Sequence, residues 1–223
     1  DLYLFGGWPG SVPVFTTNDL WRYDTLAGKW EQRSPWRDQG QGAGYGPDAS
    51  HPGSRYCVNL FAHDGALYLF SGRDTDARAP EFFNDLWRYE PARDLWTLLQ
   101  PTDSDTGFDA PAQVPAARYG SGHTSLGDHL YLFGGHNGTW TGVERNDFWR
   151  YHPPTGRWRQ LHPDDGRTDY GPGARYPGVR RVPILEASGG SLYLFGGLNC
   201  FMGPRQAGYS LPIDDLWRYH LGR

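Results

Sequence analysis

Two short blocks with different hydrophobic patterns recur along the chain. The first block is a continuous apolar run ended by small residues: LYLFGG at 2–7, LYLFSG at 67–72, LYLFGG at 130–135 and LYLFGG at 192–197. In the second block, Leu or Phe and Arg alternate with Trp and Tyr: NDLWRYD at 18–24, NDLWRYE at 84–90, NDFWRYH at 146–152 and DDLWRYH at 214–220. A short continuous apolar run predicts a strand that is covered on both faces. Alternation predicts a strand whose two faces carry different side chains.

Two further features complete each sequence repeat. A lone tryptophan follows the second block, at Trp30, Trp96 and Trp158. An Arg-Tyr pair precedes the first block, at Arg55-Tyr56, Arg118-Tyr119 and Arg175-Tyr176. Each sequence repeat is therefore predicted to contain four antiparallel strands joined mostly by short turns. Strands two and three occur four times, whereas strands one and four occur three times each.

This order of strands resembles the kelch repeat, in which Gly-Gly ends an apolar strand, an aromatic strand follows an acidic turn, and a lone Trp comes next. The resemblance covers nearly the whole chain and implies an all-β, kelch-type β-propeller with four-stranded antiparallel blades. About three and a half to four blades are present, and we expect one arc over 1–223. The predicted blade units lie near 1–32, 55–98, 118–160 and 175–221.

The arc has fewer blades than kelch propellers usually have. We therefore expect the sequence to be a fragment of a larger propeller, or to be completed by a partner chain or a second copy. Successive LYLF blocks begin 65, 63 and 62 residues apart. This spacing is wider than the usual ~50 residues and is similar to that of bacterial kelch proteins with long loops.

Composition narrows the classes of partner. The net charge is -4 and the pI about 6.0, so no basic excess favours a nucleic-acid partner. No apolar run approaches the roughly 20 residues that span a bilayer. Two cysteines, Cys57 and Cys200, are too few for a disulfide scaffold. Composition leaves the compartment open, and the resemblance to long-loop bacterial proteins favours a secreted or cell-surface location.

The long connections indicate where binding occurs. They fall between strands two and three and between successive blades, and in an up-and-down blade these connections emerge on the same side. Long loops in compact domains usually carry function. This face carries many aromatic and charged residues, which suit both protein hot spots and stacking on sugars. The predicted binding residues are Trp8, Trp36, Tyr45, Arg73, Asp74, Phe82, Phe83, His136, Trp140, Arg145, Phe201, Arg205 and Tyr209.

Two other groups of residues are candidates for binding ions. Arg55, Arg118 and Arg175 are predicted to lie on the innermost strands and to ring the central channel, where they would either hold an anion or stabilise the fold. The segment DSDTGFD at 103–109 places Asp103, Asp105 and Asp109 around a glycine, similar to oxygen-rich calcium loops. It lacks the bidentate glutamate of an EF-hand. Calcium is thus a candidate cofactor, and no other cofactor is expected.

The resemblance implies a non-catalytic binding or scaffold protein whose long loops recognise a macromolecule, most readily another protein. One alternative is a glycan-binding or carbohydrate-active surface protein with Trp8, Trp36 and Trp140 as stacking platforms. A further alternative is a metal-dependent kelch enzyme whose site is incomplete. Some kelch proteins bind ferrous iron through a Glu-x3-Asp-x3-His set. The nearest match here, Glu81-x3-Asp85-x3-Tyr89, lacks the histidine.

Overall fold

The computed structural model describes residues 1–10, 16–37, 43–44, 49–74, 82–103, 113–138, 144–199 and 211–221. The chain forms two compact units, Asp1–Asp105 and Thr106–Arg223. Each unit contains two main antiparallel sheets of three or four strands. These sheets confirm the predicted all-β class and the predicted blades of a kelch-type β-propeller.

The first unit contains a three-stranded and a four-stranded blade. The first blade has the order β1-β2-β3, and the second has the order β6-β7-β8-β9. A short parallel pair, β4 with β5, lies between them in sequence. The strands are β1 Leu2–Gly7, β2 Thr17–Asp24, β3 Lys29–Ser34, β4 Ala43–Gly44, β5 His51–Pro52, β6 Asn59–His63, β7 Ala66–Phe70, β8 Leu86–Glu90 and β9 Leu95–Gln100.

The second unit contains a four-stranded and a three-stranded blade. Their orders are β10-β11-β12-β13 and β14-β15-β18, and a short antiparallel pair, β16 with β17, extends the last blade region. A single 3₁₀ turn, Pro153–Thr155, joins β12 to β13. The strands are β10 Gly122–Leu126, β11 His129–His136, β12 Glu144–His152, β13 Arg157–His162, β14 Ile184–Ser188, β15 Ser191–Phe195, β16 Leu198–Asn199, β17 Leu211–Pro212 and β18 Leu216–His220.

The repeated Asp-Leu/Phe-Trp motif builds a buried polar frame inside each four-stranded blade. In the second blade, Arg55 donates from both terminal nitrogens to the carboxylate of Asp85, at 2.5 and 2.9 Å, and Trp87 Nε1 donates to the same carboxylate at 2.7 Å. In the third blade, Arg118 and Asp147 make the equivalent contacts at 2.7 and 2.8 Å. Burial of both charges is tolerable because each is paired and hydrogen-bonded.

The last blade repeats this frame with Arg180, which corrects one sequence prediction. Arg180 pairs with both carboxylate oxygens of Asp215. Burial opposes ionisation there, but hydrogen bonds from Arg180 and Trp217 lower the pKa of Asp215 below its ordinary value. Arg175, predicted for this position, is instead exposed. The spacing explains the error: Arg55, Arg118 and Arg180 each precede a LYLF block by 12 residues, whereas Arg175 precedes its block by 17.

The glycine pair after the LYLF block, which is Ser71-Gly72 in the second blade, permits close contact between neighbouring blades. Gly6 and Gly134 have φ angles of 56° and 62°, in the left-handed region that favours glycine. A Cβ atom on Gly134 would lie 2.7 Å from the carbonyl oxygens of both Arg145 and Arg180, and Arg180 belongs to the next blade. The following amide, Gly135 N–H, donates to the Arg180 carbonyl at 2.9 Å. The frame arginine therefore also anchors the preceding blade through its backbone.

Removing one charge from this frame should destabilise the protein strongly. Asp147→Asn leaves the Arg118 guanidinium buried without a carboxylate, and we expect the free energy of unfolding to fall by about 3–5 kcal/mol. The control is Asp19→Asn at the same repeat position. Asp19 is half-buried and, within the described residues, its carboxylate accepts from Trp21 Nε1 and from no arginine. Its loss should cost about 1 kcal/mol or less. Urea unfolding followed by tryptophan fluorescence measures both, and equal losses would contradict the role of the ion pair.

Candidate binding site

Several positions beside the repeated frame differ in residue type in every copy, and one of them adjoins the glycine pair. It is the residue directly after the glycine pair, which is Trp8, Arg73, His136 or Leu198. We call these four residues the variable positions. In the second, third and fourth blades, the variable position bridges to the residue that follows the frame arginine, through backbone contacts Arg73–Tyr56, His136–Tyr119 and Leu198–Arg181. The antiparallel ladder thus continues past the glycine pair and presents a different side chain on each blade.

In the first unit, the variable positions form a cluster of aromatic and cationic side chains. Arg73 and Tyr56 exchange backbone hydrogen bonds of 2.9 and 3.1 Å. Arg73 also bridges to Phe82, and its guanidinium lies 5.5 Å from the centre of that ring. Trp8 packs against Tyr56 with 6.0 Å between ring centres, yet 56% of Trp8 remains exposed. This cluster offers an open aromatic surface beside a half-buried cation.

In the second unit, the variable position lies in a cluster of charged side chains. Glu144 is fully buried, and its Oε1 atom lies 3.4 Å from His136 Nδ1 and 3.9 Å from Arg181 Nε. Arg181 donates from a terminal nitrogen to the Tyr119 hydroxyl at 3.2 Å. The His136 ring meets the Tyr119 ring edge-on, at 5.3 Å. The cluster therefore holds a buried carboxylate between a histidine and a partly exposed arginine.

Arg145 and Tyr170 are held by hydrogen bonds of their own. Arg145 donates to Asp164 at 2.8 Å and to Asn137 Oδ1 at 3.3 Å, and burial lowers the pKa of Arg145. Tyr170 donates its hydroxyl to the Val179 carbonyl at 2.6 Å, and burial raises the pKa of Tyr170. Polar side chains that are held by several hydrogen bonds lose little conformational freedom when a ligand binds.

The predicted binding residues divide by exposure. Trp8 and Trp36 are exposed, as expected, and Arg73 and Arg145 are half-buried. The expectation of exposure is not met for four residues, which are buried because their segments pack back onto the blades: Asp74, Phe82, Phe83 and His136. Asp74 accepts a hydrogen bond from Thr16, and the Arg55 guanidinium lies 4.1 Å above the Phe83 ring. Tyr45, Trp140, Phe201, Arg205 and Tyr209 lie outside the described residues.

Two of the three arginines predicted to ring the channel do not expose their guanidinium groups to an anion. Arg55 and Arg118 are fully buried. Arg55 uses Nε for the Gly53 carbonyl and one terminal nitrogen for the Ser71 carbonyl, besides its two bonds to Asp85. Arg118 makes the same pattern of contacts. In both residues these donors are directed at acceptors of the protein itself.

The acidic and histidine side chains are the candidate metal ligands. Within the ranges that the structure describes, no three residues of His, Cys, Asp or Glu come close enough together to hold a metal ion. Asp103 accepts from Asn84 Nδ2 at 2.6 Å, and Asp105 and Asp109 lie outside those ranges. The calcium hypothesis therefore stays a prediction.

Sequence reasoning missed three residues of the charged cluster, namely Tyr119, Glu144 and Arg181. Tyr119 belongs to the repeated Arg-Tyr pair, yet its hydroxyl accepts from Arg181 and its ring meets that of His136 edge-on. The Arg-Tyr pair at 175–176 was assigned to the repeat position that Arg180 and Arg181 occupy. Sequence reasoning therefore missed both of these arginines. The 12-residue spacing to the LYLF block would have identified both arginines.

Comparison with known proteins places the chain in a family. The model of the KLHDC2/KLHL20/DRC7 Kelch-repeats domain matches residues 1–221. The chain is 27% identical over 150 residues to a Drosophila melanogaster leucine-zipper-like transcriptional regulator 1 homolog, a match that covers 67% of the chain and 13% of that protein. It is 24% identical over 181 residues to human Kelch domain-containing protein 3, covering 60% of the chain and 44% of that protein.

A third relative is an enzyme. The chain is 32% identical over 77 residues to the N-acetylneuraminate epimerase of Haemophilus influenzae, covering 34% of the chain and 18% of the enzyme. The chain thus spans less than half the length of each of these curated relatives. No helix among the described residues is long and apolar enough to cross a membrane. The match over 1–221, together with the repeated frame and glycine pairs, shows that the chain belongs to the KLHDC2/KLHL20/DRC7 kelch-repeat family.

Proposed function

We propose that the chain is a non-catalytic binding module that recognises a protein partner through the loop-bearing ends of its blades. The observation that carries this proposal is the contrast between a nearly invariant frame and the four different side chains at the variable positions. Kelch-repeat domains commonly serve as scaffolds for protein interactions. The frame is rebuilt in the second, third and last blades, where the variable positions bridge to the residue after the frame arginine, so their side chains are free to differ on a fixed backbone.

The chemistry of the variable positions suits a protein surface. Binding energy at protein interfaces is concentrated in a few Trp, Tyr and Arg residues. Trp8 and Tyr56 supply aromatic area in the first unit, next to the guanidinium of Arg73. Arg181 and Tyr119 supply a cation and a hydroxyl in the second unit, over the buried carboxylate of Glu144. The first cluster combines exposed aromatic surface with a cation, and the second combines a partly exposed arginine with a buried carboxylate.

Truncation of these side chains should release the partner, whereas truncation at the opposite ends of the blades should not. The test variants are Trp8→Ala, Arg73→Ala and Arg181→Ala. The matched controls are Leu26→Ala and Asp128→Ala, both in exposed turns that join strands at the opposite ends of the blades. Quantitative mass spectrometry compares the proteins that each immobilised variant captures, and the protein lost with the test variants is then purified for calorimetry.

We expect at least one test variant to bind the purified partner ~30-fold more weakly, the factor that corresponds to about 2 kcal/mol at a hot spot. The controls should bind as the parent chain does. If every captured protein responded equally to the test variants and to the controls, recognition through Trp8, Arg73 and Arg181 would be excluded.

A glycan is a second candidate ligand, favoured by the exposed ring of Trp8 beside Tyr56 and by the similarity to an N-acetylneuraminate epimerase. Aromatic faces stack on sugar rings. Titration with N-acetylneuraminate should change the tryptophan fluorescence saturably, and Trp8→Ala should abolish that change. Trp30→Ala is the control, because Trp30 is 52% exposed but does not lie at a variable position. A flat titration of the parent chain through the millimolar range would eliminate this sugar.

A further inference from the structure

One face of the third blade carries a cluster of basic side chains. The register places Tyr131, Arg150 and Arg159 at directly opposed positions of β11, β12 and β13, so these three side chains share one face. Residues two positions away along the same strands point to that face as well. They are also basic: His129, His152 and Arg157. We call the five basic residues the basic face, and all of them belong to a blade that has its four strands.

The two opposed arginines have no carboxylate partner within the described residues. Neither Arg150 nor Arg159 forms an ion pair there. The group that contacts the Arg150 guanidinium is the neutral hydroxyl of Tyr131. Beside them, the rings of His129 and His152 stack with 4.8 Å between their centres. Like charges at directly opposed positions destabilise a sheet, so this face is less stable with nothing bound than with a counter-charge.

The first blade shows where that counter-charge belongs. Arg22 takes the place of Arg150 in the repeat, since each lies 20 residues after the first Leu of its LYLF block. The Arg22 guanidinium forms ion pairs with three carboxylates: Asp1 at 2.8 Å, Asp24 at 3.4 Å and Glu31 at 3.2 Å. A shell of negative charge thus surrounds this arginine on the same face of the first blade.

In the third blade, a basic residue replaces each of those three carboxylates. The residues at the equivalent repeat positions are His129, His152 and Arg159. The second blade keeps one carboxylate at these positions, because Arg88 pairs with Glu90 at 2.5 Å. The arginine is therefore retained in all three blades, while its counter-charge is inverted only in the third. Inversion at three separate positions around one retained cation favours an external anion there.

An open cavity borders the basic face. Arg150, Arg159 and Tyr131 line it. Arg159 is exposed and Arg150 is half-buried, so both guanidinium groups adjoin space that solvent reaches. Asp128 also lines the cavity, but it makes no ion pair with either arginine in the part of the chain that the structure describes. An anion thus has access to both cations.

We propose that the basic face binds a doubly charged oxyanion of the phosphate or sulfate class. Guanidinium groups match the oxygen atoms of such ions with paired, charge-assisted hydrogen bonds. The bound ion supplies to Arg150 and Arg159 the negative charge that Asp24 and Glu31 supply to Arg22. The site lies towards the turn that joins β12 to β13, away from the variable positions, and the proposal does not depend on the proposed function.

The test is calorimetric titration of the 223-residue chain with sodium phosphate and, separately, with sodium sulfate, at an ionic strength held constant with sodium chloride. We expect at least one of the two oxyanions to bind with a Kd of about 1 mM or below. The tighter of the two identifies the ligand class. Arg159→Gln should weaken binding by ~10-fold, because it removes a charged donor from the site.

Arg93→Gln is the matched control. Arg93 is exposed and pairs with Glu90 in the second blade, so this variant loses the same charge outside the basic face and should bind the oxyanion as the parent does. Circular dichroism checks that every variant is folded. A flat titration of the parent with both oxyanions would overturn the proposal. So would an Arg159→Gln chain that binds as tightly as the parent, since the ion would then meet another surface.

A charge reversal tests the same site without a ligand. Arg159→Glu recreates the cross-strand pair that Arg22 forms with Glu31 in the first blade. In buffer free of phosphate and sulfate, this variant should unfold at a higher temperature than the parent, because a repulsive pair becomes an attractive one. It should also lose oxyanion binding. A variant that unfolds at a lower temperature than the parent would contradict the premise that negative charge belongs at this face.

Discussion

The buried arginine–aspartate pair is the contact on which the blades depend. The Arg55 side chain fixes Asp85, directly before the third strand of its own blade, while the Arg55 backbone carbonyl accepts from Gly7 N–H of the preceding blade at 3.1 Å. Arg180 does the same with Asp215 and Gly135. One residue thus holds a blade together and joins it to its neighbour. This double role explains why the acidic residue, the tryptophan and the glycine pair recur together.

Much of this fold could be predicted from the sequence because its strands obey simple periodicity. The LYLF and DLWRY blocks recur in the same order, and in all four blades the first Leu of LYLF lies opposite the Tyr of DLWRY or DFWRY. The third arginine could not be predicted from its neighbours, since Arg175-Tyr176 repeats the dipeptide found at Arg55 and Arg118. The frame arginine lies at a fixed distance along the chain from the glycine pair. The Arg-Tyr dipeptide alone does not show that distance.

The binding site was less accessible to sequence reasoning, for a physical reason. Whether a loop residue is exposed depends on the strand that it meets across the ladder. Arg73 meets Phe82, and His136 meets Glu144, beyond the point where the regular strands end. These pairings bury Phe82 and Glu144 but leave Trp8 open. The sequence shows which residues the loops contain, whereas the cross-strand partners decide which of them can touch a ligand.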